Sequence, residues 1–104
     1  MGTKVGSGEY HYELVSSWPK MLKYWSFGPA SDAAVNSNDD IYVYSRGEHP
    51  VTIWDTDGNF ISSWGEGTFS ANPHGIYISK DDTVWLVDRD FHIATEYSAG
   101  GETL

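Results

Sequence analysis

Short apolar stretches alternate with polar turns along most of the chain. In the middle of the sequence, four such stretches cover residues 33–35, 41–44, 51–54 and 60–64, and β-branched and aromatic residues dominate them. These residue types favour strands over helices, because they pack well on a pleated sheet. The turns contain Asn, Asp, Gly and Ser, and Asp57-Gly58 is a strong hairpin signal. The pattern therefore predicts an all-β chain in which four antiparallel strands follow one another.

The same pattern returns 43 residues later without a gap. Apolar stretches at 75–78, 84–87 and 92–97 repeat the first three strands, and the polar turns between them repeat as well. A period in the low forties with strand-like content is typical of a β-propeller blade. The alignment is supported by five identical pairs: Asp39 and Asp82, Arg46 and Arg89, His49 and His92, Thr52 and Thr95, and Gly58 and Gly101.

A four-stranded antiparallel blade is one unit of a ring, and a ring needs about four blades or more. Residues 27–65 predict one complete blade, residues 69–104 a second blade without its fourth strand, and residues 9–17 an N-terminal strand. Six blades of this period would take about 260 residues. We therefore expect a fragment of a six-bladed propeller, cut at its C-terminus. The alternative is a short chain that self-associates, for example three copies in one six-bladed ring.

Composition narrows the classes of partner. The 104 residues carry a net charge of −9, and 15% of them are aromatic. A binding face for nucleic acid or for an anionic membrane would be basic, so we expect neither partner. The sequence has no cysteine, no apolar stretch of about 18 residues and no apolar signal-peptide core near residue 1. It does not indicate a compartment.

Two residues at predicted strand ends are candidates for chemistry. Arg46 follows the second strand of the first blade, where a guanidinium near the propeller axis can hold a carboxylate through two hydrogen bonds. The alternative is a structural ion pair with Glu48 or another nearby acid. His74, at the start of an inner strand, carries an imidazole, which is a common metal ligand. A lone histidine is also often a structural or surface residue, and that alternative stays open.

Other polar groups are better explained by architecture. His49 and His92 occupy equivalent positions, and a residue that recurs in each repeat is expected to support the turn. The acid pairs Asp39-Asp40 and Asp81-Asp82 lie in the turn between the first two strands of each blade, where Asp favours local hydrogen bonds. The sequence contains no phosphate-binding loop, nucleophile elbow or cysteine nucleophile.

Two segments are the most distinctive in the chain: Arg46-Gly47-Glu48-His49-Pro50-Val51 and Pro73-His74-Gly75-Ile76. With them, the chain from about residue 10 onward resembles the NHL-repeat six-bladed propellers. Within that group it is most similar to the peptidyl-α-hydroxyglycine α-amidating lyase family and its bacterial relatives. The supporting matches are Trp25-Ser26-Phe27-Gly28, Asp57-Gly58-Asn59-Phe60, Ser63-Trp64-Gly65 and residues 88–92.

The resemblance implies roles for particular residues. In the lyases, three histidines from different blades hold a zinc ion in the central channel, and His74 matches the first of them. Arg46 matches the arginine that handles the substrate carboxylate, and Ala33 and Ile76 match positions whose backbone carbonyls bind a structural calcium. The implied reaction cleaves a carbinolamide C–N bond in a peptide or other small substrate and gives an amide and glyoxylate. The other zinc ligands and the catalytic tyrosine would lie beyond Leu104, so we do not expect this chain to be active alone.

Two other functions stay open. A non-catalytic NHL-repeat propeller would act as a scaffold and present its loops to a protein or a small ligand. A calcium-dependent propeller hydrolase of lactones or esters would need acidic and amide ligands around the channel, which this sequence does not display.

Overall fold

The computed structural model describes residues 3–104. This part of the chain forms nine β-strands and no helix, so the all-β prediction is confirmed. The strands make three antiparallel sheets of two, four and three strands. In chain order they are β1 (Lys4–Ser7), β2 (Tyr10–Glu13), β3 (Ala30–Val35), β4 (Ile41–Ser45), β5 (Val51–Trp54), β6 (Phe60–Trp64), β7 (Pro73–Ile78), β8 (Val84–Asp88) and β9 (Ile93–Tyr97). Over the same residues, no helix is long and apolar enough to cross a membrane.

The first large sheet contains β3 to β6, and each strand pairs with the next one in the chain. The predicted stretches 51–54 and 60–64 coincide with β5 and β6. We call the first strand of each large sheet, β3 or β7, its inner strand; each lies at one edge of its sheet. β3 begins at Ala30, earlier than the predicted start at residue 33. Gly58 in the turn between β5 and β6 has a φ of 85°, which glycine adopts without strain. The local turn signal therefore led to the correct hairpin.

The second large sheet, β7 to β9, reproduces the first with the 43-residue step. β3 and β7 begin and end 43 residues apart, and so do β4 and β8. Both inner strands contain an irregularity at the same place, where Ser31 and His74 have no partner in the register. The bridge between Tyr97 and Thr103 is the counterpart of the pairing between Trp54 of β5 and Phe60 of β6, 43 residues earlier. The sequence repeat is therefore also a repeat of strand register.

The turns after β3 and β7 share their hydrogen bonds. A side-chain oxygen at the first turn position, on Asn36 or Ser79, accepts bonds from the backbone N–H groups two and four residues later. Asp39 and Asp82 stand at the same place in the two turns and have the same φ of 63°. Asp is one of the few residue types that visit this left-handed conformation. The prediction that the acid pairs are turn residues is confirmed.

One face of the first large sheet packs on one face of the second. The inner strands β3 and β7 lie side by side across this interface, and β4 also contacts β7. Burial of the apolar side chains between the two sheets is the main source of stability. The core consists of Tyr42, Tyr44, Val51, Ile53 and Trp64 from the first sheet and Ile76, Val84, Leu86 and Tyr97 from the second.

The connection before β3 covers part of the other face of the first sheet. The ring centres of Trp18 and Phe27 lie 6.4 and 5.8 Å from that of Trp54. Trp54 is fully buried, and its indole N–H donates a 2.8 Å hydrogen bond to the hydroxyl of Thr52.

Trp18 and Trp64 hold equivalent positions in front of the two large sheets. The indole N–H of Trp18 donates to the carbonyl of Thr56 at 3.2 Å, and that of Trp64 donates to the carbonyl of Ala99 at 3.1 Å. The two acceptors are 43 residues apart. Each indole also lies against the turn glycine of the sheet that follows it. Trp18 therefore packs against the first sheet in the same way as Trp64, the last residue of β6, packs against the second.

The N-terminal residues form a separate hairpin. β1 and β2 pair with each other, from Lys4 opposite Glu13 to Ser7 opposite Tyr10. All eight residues of the two strands are exposed. The strand predicted over 9–17 is therefore shorter, and its partner is β1.

Candidate functional site

The predicted site residues lie on the two inner strands and at one end of the sheets. Arg46 directly follows β4, and its backbone N–H donates to the carbonyl of Pro29, just before β3, at 2.9 Å. His74 is the second residue of β7. Ala33 and Ile76 lie further along β3 and β7. Because β3 and β7 are adjacent, the structure brings all four predicted residues into one region.

The guanidinium of Arg46 reaches from the first sheet to the second. Its Nε donates a hydrogen bond to the carbonyl oxygen of Pro73, 3.2 Å away, and the hydroxyl of Ser31 donates to the same oxygen at 2.7 Å. Within residues 3–104 Arg46 forms no ion pair, so the alternative of a salt bridge with Glu48 is not observed. The two terminal amino groups of the guanidinium are thus available to a carboxylate.

His74 occupies a bulge of β7. The register passes from Pro73, opposite Asp88, to Gly75, opposite Val87, and leaves His74 without a cross-strand partner. A bulge redirects the side chain of its extra residue, and bulges are frequent next to active sites. The side chain of His74 is exposed. His74 directly follows Pro73, whose carbonyl oxygen accepts the hydrogen bond from the guanidinium of Arg46.

Asp32 connects the two inner strands, and it was not among the site residues predicted from the sequence. Its Oδ1 accepts a hydrogen bond from the N–H of Ala33 at 2.8 Å, and its Oδ2 accepts one from the N–H of Ile76 at 3.1 Å. A signal was present, because Asp is depleted inside strands and the equivalent position in the second repeat is Gly75.

The backbone of Ile76 directs its polar groups away from β8. Its N–H bonds to Asp32 of the first sheet, and in an antiparallel pair the N–H and C=O of one residue point to the same side. The carbonyl of Ile76 therefore faces the open side of β7, and the equivalent register orients the carbonyl of Ala33 in the same way on β3. Calcium takes about six to eight oxygen ligands, so two carbonyls alone do not define its site. The calcium site stays a prediction.

The described residues do not fit a zinc ion by themselves. Within residues 3–104, no three His, Cys, Asp or Glu side chains lie close enough together to hold a metal ion. His74 would supply one ligand, whereas catalytic zinc usually has three protein ligands. The zinc site also stays a prediction.

A cleft of about 260 Å³ opens beside the loop that follows Arg46. At one wall, the rings of Trp25 and His49 stack with centres 3.5 Å apart and planes 7° from parallel. The Nδ1 of His49 lies 3.0 Å from the carboxylate of Glu66. Burial would raise the pKa of Glu66, but hydrogen bonds, including that from His49, outweigh it and lower the pKa below its ordinary value. The cleft is lined by Tyr24, Trp25, Ser26, Gly28, Gly47, Glu48 and His49.

His49 and His92 differ although they are equivalent in the repeat. His49 is stacked and paired, whereas His92 is exposed and has a φ of 57°. The position equivalent to Trp25 is Thr68, which offers no ring for stacking. The expected architectural role is observed for His49 and is not shared by His92.

Comparison with known proteins does not assign the chain to a family. No family model matches the sequence, and no curated protein matches it.

Proposed function

We propose that the two large sheets are successive blades of a propeller enzyme related to the amidating lyases, in which Arg46 binds the substrate carboxylate. The repeated strand register supports the assignment of the blades, because each blade of a propeller is one structural repeat. The observation that carries the site is the hydrogen bond from the Arg46 guanidinium to the Pro73 carbonyl.

That hydrogen bond orients the guanidinium. With Nε held by a backbone oxygen of the neighbouring strand, the plane of the group and its terminal amino groups have a defined direction. A positioned arginine binds a carboxylate through two parallel hydrogen bonds, which fixes the orientation of the substrate as well as its affinity. None of the acids within residues 3–104 occupies this position as an ion-pair partner.

His74 would lie beside the reacting carbon of a substrate held in this way, since it follows the residue that anchors the guanidinium. In the proposed reaction the carbinol hydroxyl loses its proton and its oxygen becomes the carbonyl of glyoxylate. The C–N bond breaks, and the amide nitrogen takes up a proton. Residues 3–104 supply the carboxylate-binding group and one histidine, so we expect this chain to bind the carboxylate product without turnover.

Titration of the chain with glyoxylate, followed by the NMR signals of the Arg46 Nε–H and the His74 ring, tests the proposal. We expect saturable shifts of both signals. Arg46→Lys keeps the charge but loses the planar fork, so affinity should fall about tenfold, equivalent to about 1.4 kcal/mol.

Arg89→Lys, at the equivalent position of the second repeat, is the matched control and should leave the affinity unchanged. Equal affinities of the Arg46→Lys and Arg89→Lys variants, or shifts confined to other histidines, would contradict the proposed carboxylate site.

The cleft beside His49 supports a second candidate function, the binding of a small organic cation by a non-catalytic propeller. Tyr24, which lines the cleft, is 93% exposed and has a φ of 68°, a strained conformation for an aromatic residue. The ammonium of Lys23 lies 5.1 Å from the centre of the Tyr24 ring, so a ligand cation would take over an interaction that the ring already makes. Glu48 adds negative charge to the cleft.

Titration with tetramethylammonium tests this second function. Saturable binding should be lost in Tyr24→Ala and retained in Tyr10→Ala, which removes another exposed aromatic ring outside the cleft. If no saturable binding is detected, or if both variants behave alike, the cleft is not a cation site.

A further inference from the structure

The second large sheet has one uncovered face. Tyr77, Trp85 and Val87, which we call the open face, share one side of β7 and β8 and are 64%, 39% and 43% exposed. Their counterparts on the first sheet, 43 residues earlier, are Ala34, Tyr42 and Tyr44. Those three side chains pack in the interface beneath the second sheet. The open face is thus the same apolar surface without the sheet that covers it in the first repeat.

The second sheet also has a largely unpaired edge. In the first sheet, β6 pairs along the whole of β5. In the described part of the chain, the corresponding edge of β9 is met by one bridge, from Tyr97 to Thr103, and by the N–H of Leu104 on the carbonyl of Glu96. An unpaired strand edge can pair with a segment of another chain, and an exposed apolar face can pack against one.

The segment before the first sheet has the complementary property. Trp18 contacts the first sheet as Trp64, the last residue of β6, contacts the second. The sequence Ser16-Ser17-Trp18 is also identical to Ser62-Ser63-Trp64. Trp18 therefore stands where the last residue of a fourth strand would stand, although no three-stranded sheet precedes it within residues 3–104. Val15 to Trp18 form a turn, in which the N–H of Trp18 donates to the carbonyl of Val15 at 3.3 Å. Leu14 and Val15 are 59% and 62% exposed.

The first sheet also carries an apolar surface of the right kind on its other side. The positions equivalent to the buried Ile76 and the partly buried Ile78 of the second sheet are Ala33 and Val35. Ala33 is exposed and Val35 is 55% exposed. The exposed side of the first sheet is therefore equivalent to the surface that covers Ala34, Tyr42 and Tyr44 within the chain.

We propose that a second copy of this chain packs head to tail on the first. In this contact Ala33 and Val35 of one copy cover Tyr77 and Trp85 of the other, and Trp18 of the first copy lies beside the β9 edge of the second. The contact repeats the interface between the two large sheets within the chain, and it does not depend on the proposed lyase activity. Because the contact joins different surfaces, it can close into a ring, and propeller rings of about four to eight blades correspond to about two to four copies.

The charges at this contact agree with the proposal. Within the chain, Ser37 of the first sheet donates two hydrogen bonds to Asp82 of the second. Between copies, the equivalent positions bring Lys80 of one chain to Asp39 of the next. Asp39 has the same φ of 63° as Asp82, and within residues 3–104 neither Lys80 nor Asp39 forms an ion pair. At the contact between copies, a pair of opposite charges, Lys80 and Asp39, thus takes the place of the hydrogen bonds between Ser37 and Asp82 within the chain.

Light scattering with size exclusion at increasing concentration of the full chain measures the contact. We expect association at concentrations up to about 100 µM, where a Kd of about 1 µM would be saturated. Val35→Glu and Trp85→Glu should each give a monomer, and both should keep the folded spectrum because the two side chains are exposed.

Mixing the two variants gives the decisive result. Each variant retains one intact half of the contact, so an equimolar mixture should form a 1:1 heterodimer that does not grow further. A face-to-face dimer through the open face would be left unchanged by Val35→Glu, and this outcome overturns the head-to-tail contact. A wild-type chain that stays monomeric at 100 µM also overturns the proposal and leaves the open face to a different protein.

Discussion

Asp82 in the second large sheet accepts two hydrogen bonds from Ser37 in the first, one from its backbone N–H at 2.9 Å and one from its hydroxyl. The contact joins the two inner-strand turns across the interface between the sheets. These hydrogen bonds lower the pKa of Asp82 below its ordinary value. A residue that a turn requires for its backbone conformation thus also links neighbouring repeats.

We expect Asp82→Asn to lower the thermal midpoint, because an amide cannot accept both bonds with the same geometry and loses the charge that strengthens them. Asp39→Asn is the matched control, since Asp39 has the same turn position and φ but no hydrogen bond to the other sheet. Thermal unfolding of both variants at a dilution where the chain is monomeric measures the difference. Equal midpoints would show that the link contributes nothing to stability.

Gly101 tests the packing of the indole of Trp64. A Cβ at this position would lie 2.5 Å from Cδ2 of Trp64, and the φ of 93° is unfavourable for any residue with a side chain. Gly101→Ala should therefore destabilise the chain by about 1–3 kcal/mol. Gly100→Ala, where no atom lies within 4 Å of the new methyl group, should change stability by less than about 0.5 kcal/mol. Chemical denaturation compares the two, and similar losses would contradict the indole contact.

Tyr44 and Tyr42 are both buried, but we expect their replacement by phenylalanine to have opposite effects on the free energy of unfolding. The hydroxyl of Tyr44 is buried and has no hydrogen-bond partner among the described residues, and burial raises its pKa so that it stays neutral. Tyr44→Phe should therefore leave the free energy of unfolding unchanged or raise it by up to about 1 kcal/mol.

The hydroxyl of Tyr42 donates a 3.3 Å hydrogen bond to the carbonyl of Ala99, so Tyr42→Phe should lower the free energy of unfolding by about 0.5–1.5 kcal/mol. Denaturant titrations of both variants provide the test. A larger loss for Tyr44→Phe than for Tyr42→Phe would indicate a partner for the Tyr44 hydroxyl.

Asp88 should make stability depend on pH in the acidic range. Its buried carboxylate accepts hydrogen bonds from the N–H and the hydroxyl of Ser70 and from the N–H groups of Asp90 and Phe91. Burial would raise the pKa, but these bonds lower it below the ordinary 3.8. A lowered folded-state pKa contributes stability that is fully present above the unfolded pKa and is lost as pH falls through the folded pKa.

We therefore expect Asp88→Asn to destabilise the chain at pH 6 by about 1–3 kcal/mol and to flatten the fall in stability below pH 3.8. Asp57→Asn, in an exposed turn, is the control and should retain the wild-type pH profile. Thermal midpoints measured from pH 2 to pH 7 decide, and an unchanged slope in Asp88→Asn would exclude this carboxylate as the cause.

Local sequence patterns were sufficient to predict the strands of the two large sheets. Apolar alternation and the turn residues predicted β5 and β6 at their observed bounds, because side-chain alternation and turn preferences are properties of a few neighbouring residues. They did not predict the β1–β2 hairpin at the observed bounds. Its eight residues are exposed, so no apolar pattern records which strand they pair with.

The candidate site combines two residues that the sequence singled out with one that it did not. The sequence singled out Arg46 and His74, and in the structure Arg46 follows β4 and donates a hydrogen bond to Pro73, the residue before His74 on β7. Asp32 was missed, because its hydrogen bond to Ile76 joins residues 44 positions apart in the chain. The bulge that leaves His74 unpaired is likewise a property of strand register, not of the residues around it.

The sequence by itself determined the repeat: an all-β chain in which strands, turns and turn conformations recur every 43 residues, since these depend on nearby residues alone. Only the tertiary structure decided how the repeats are joined. The anchoring of Arg46 on Pro73, the link from Ser37 to Asp82 and the uncovered Trp85 all depend on which faces and edges meet in space. Patterns of apolar and turn residues do not record these contacts between distant residues, and the proposed functions of this chain depend on them.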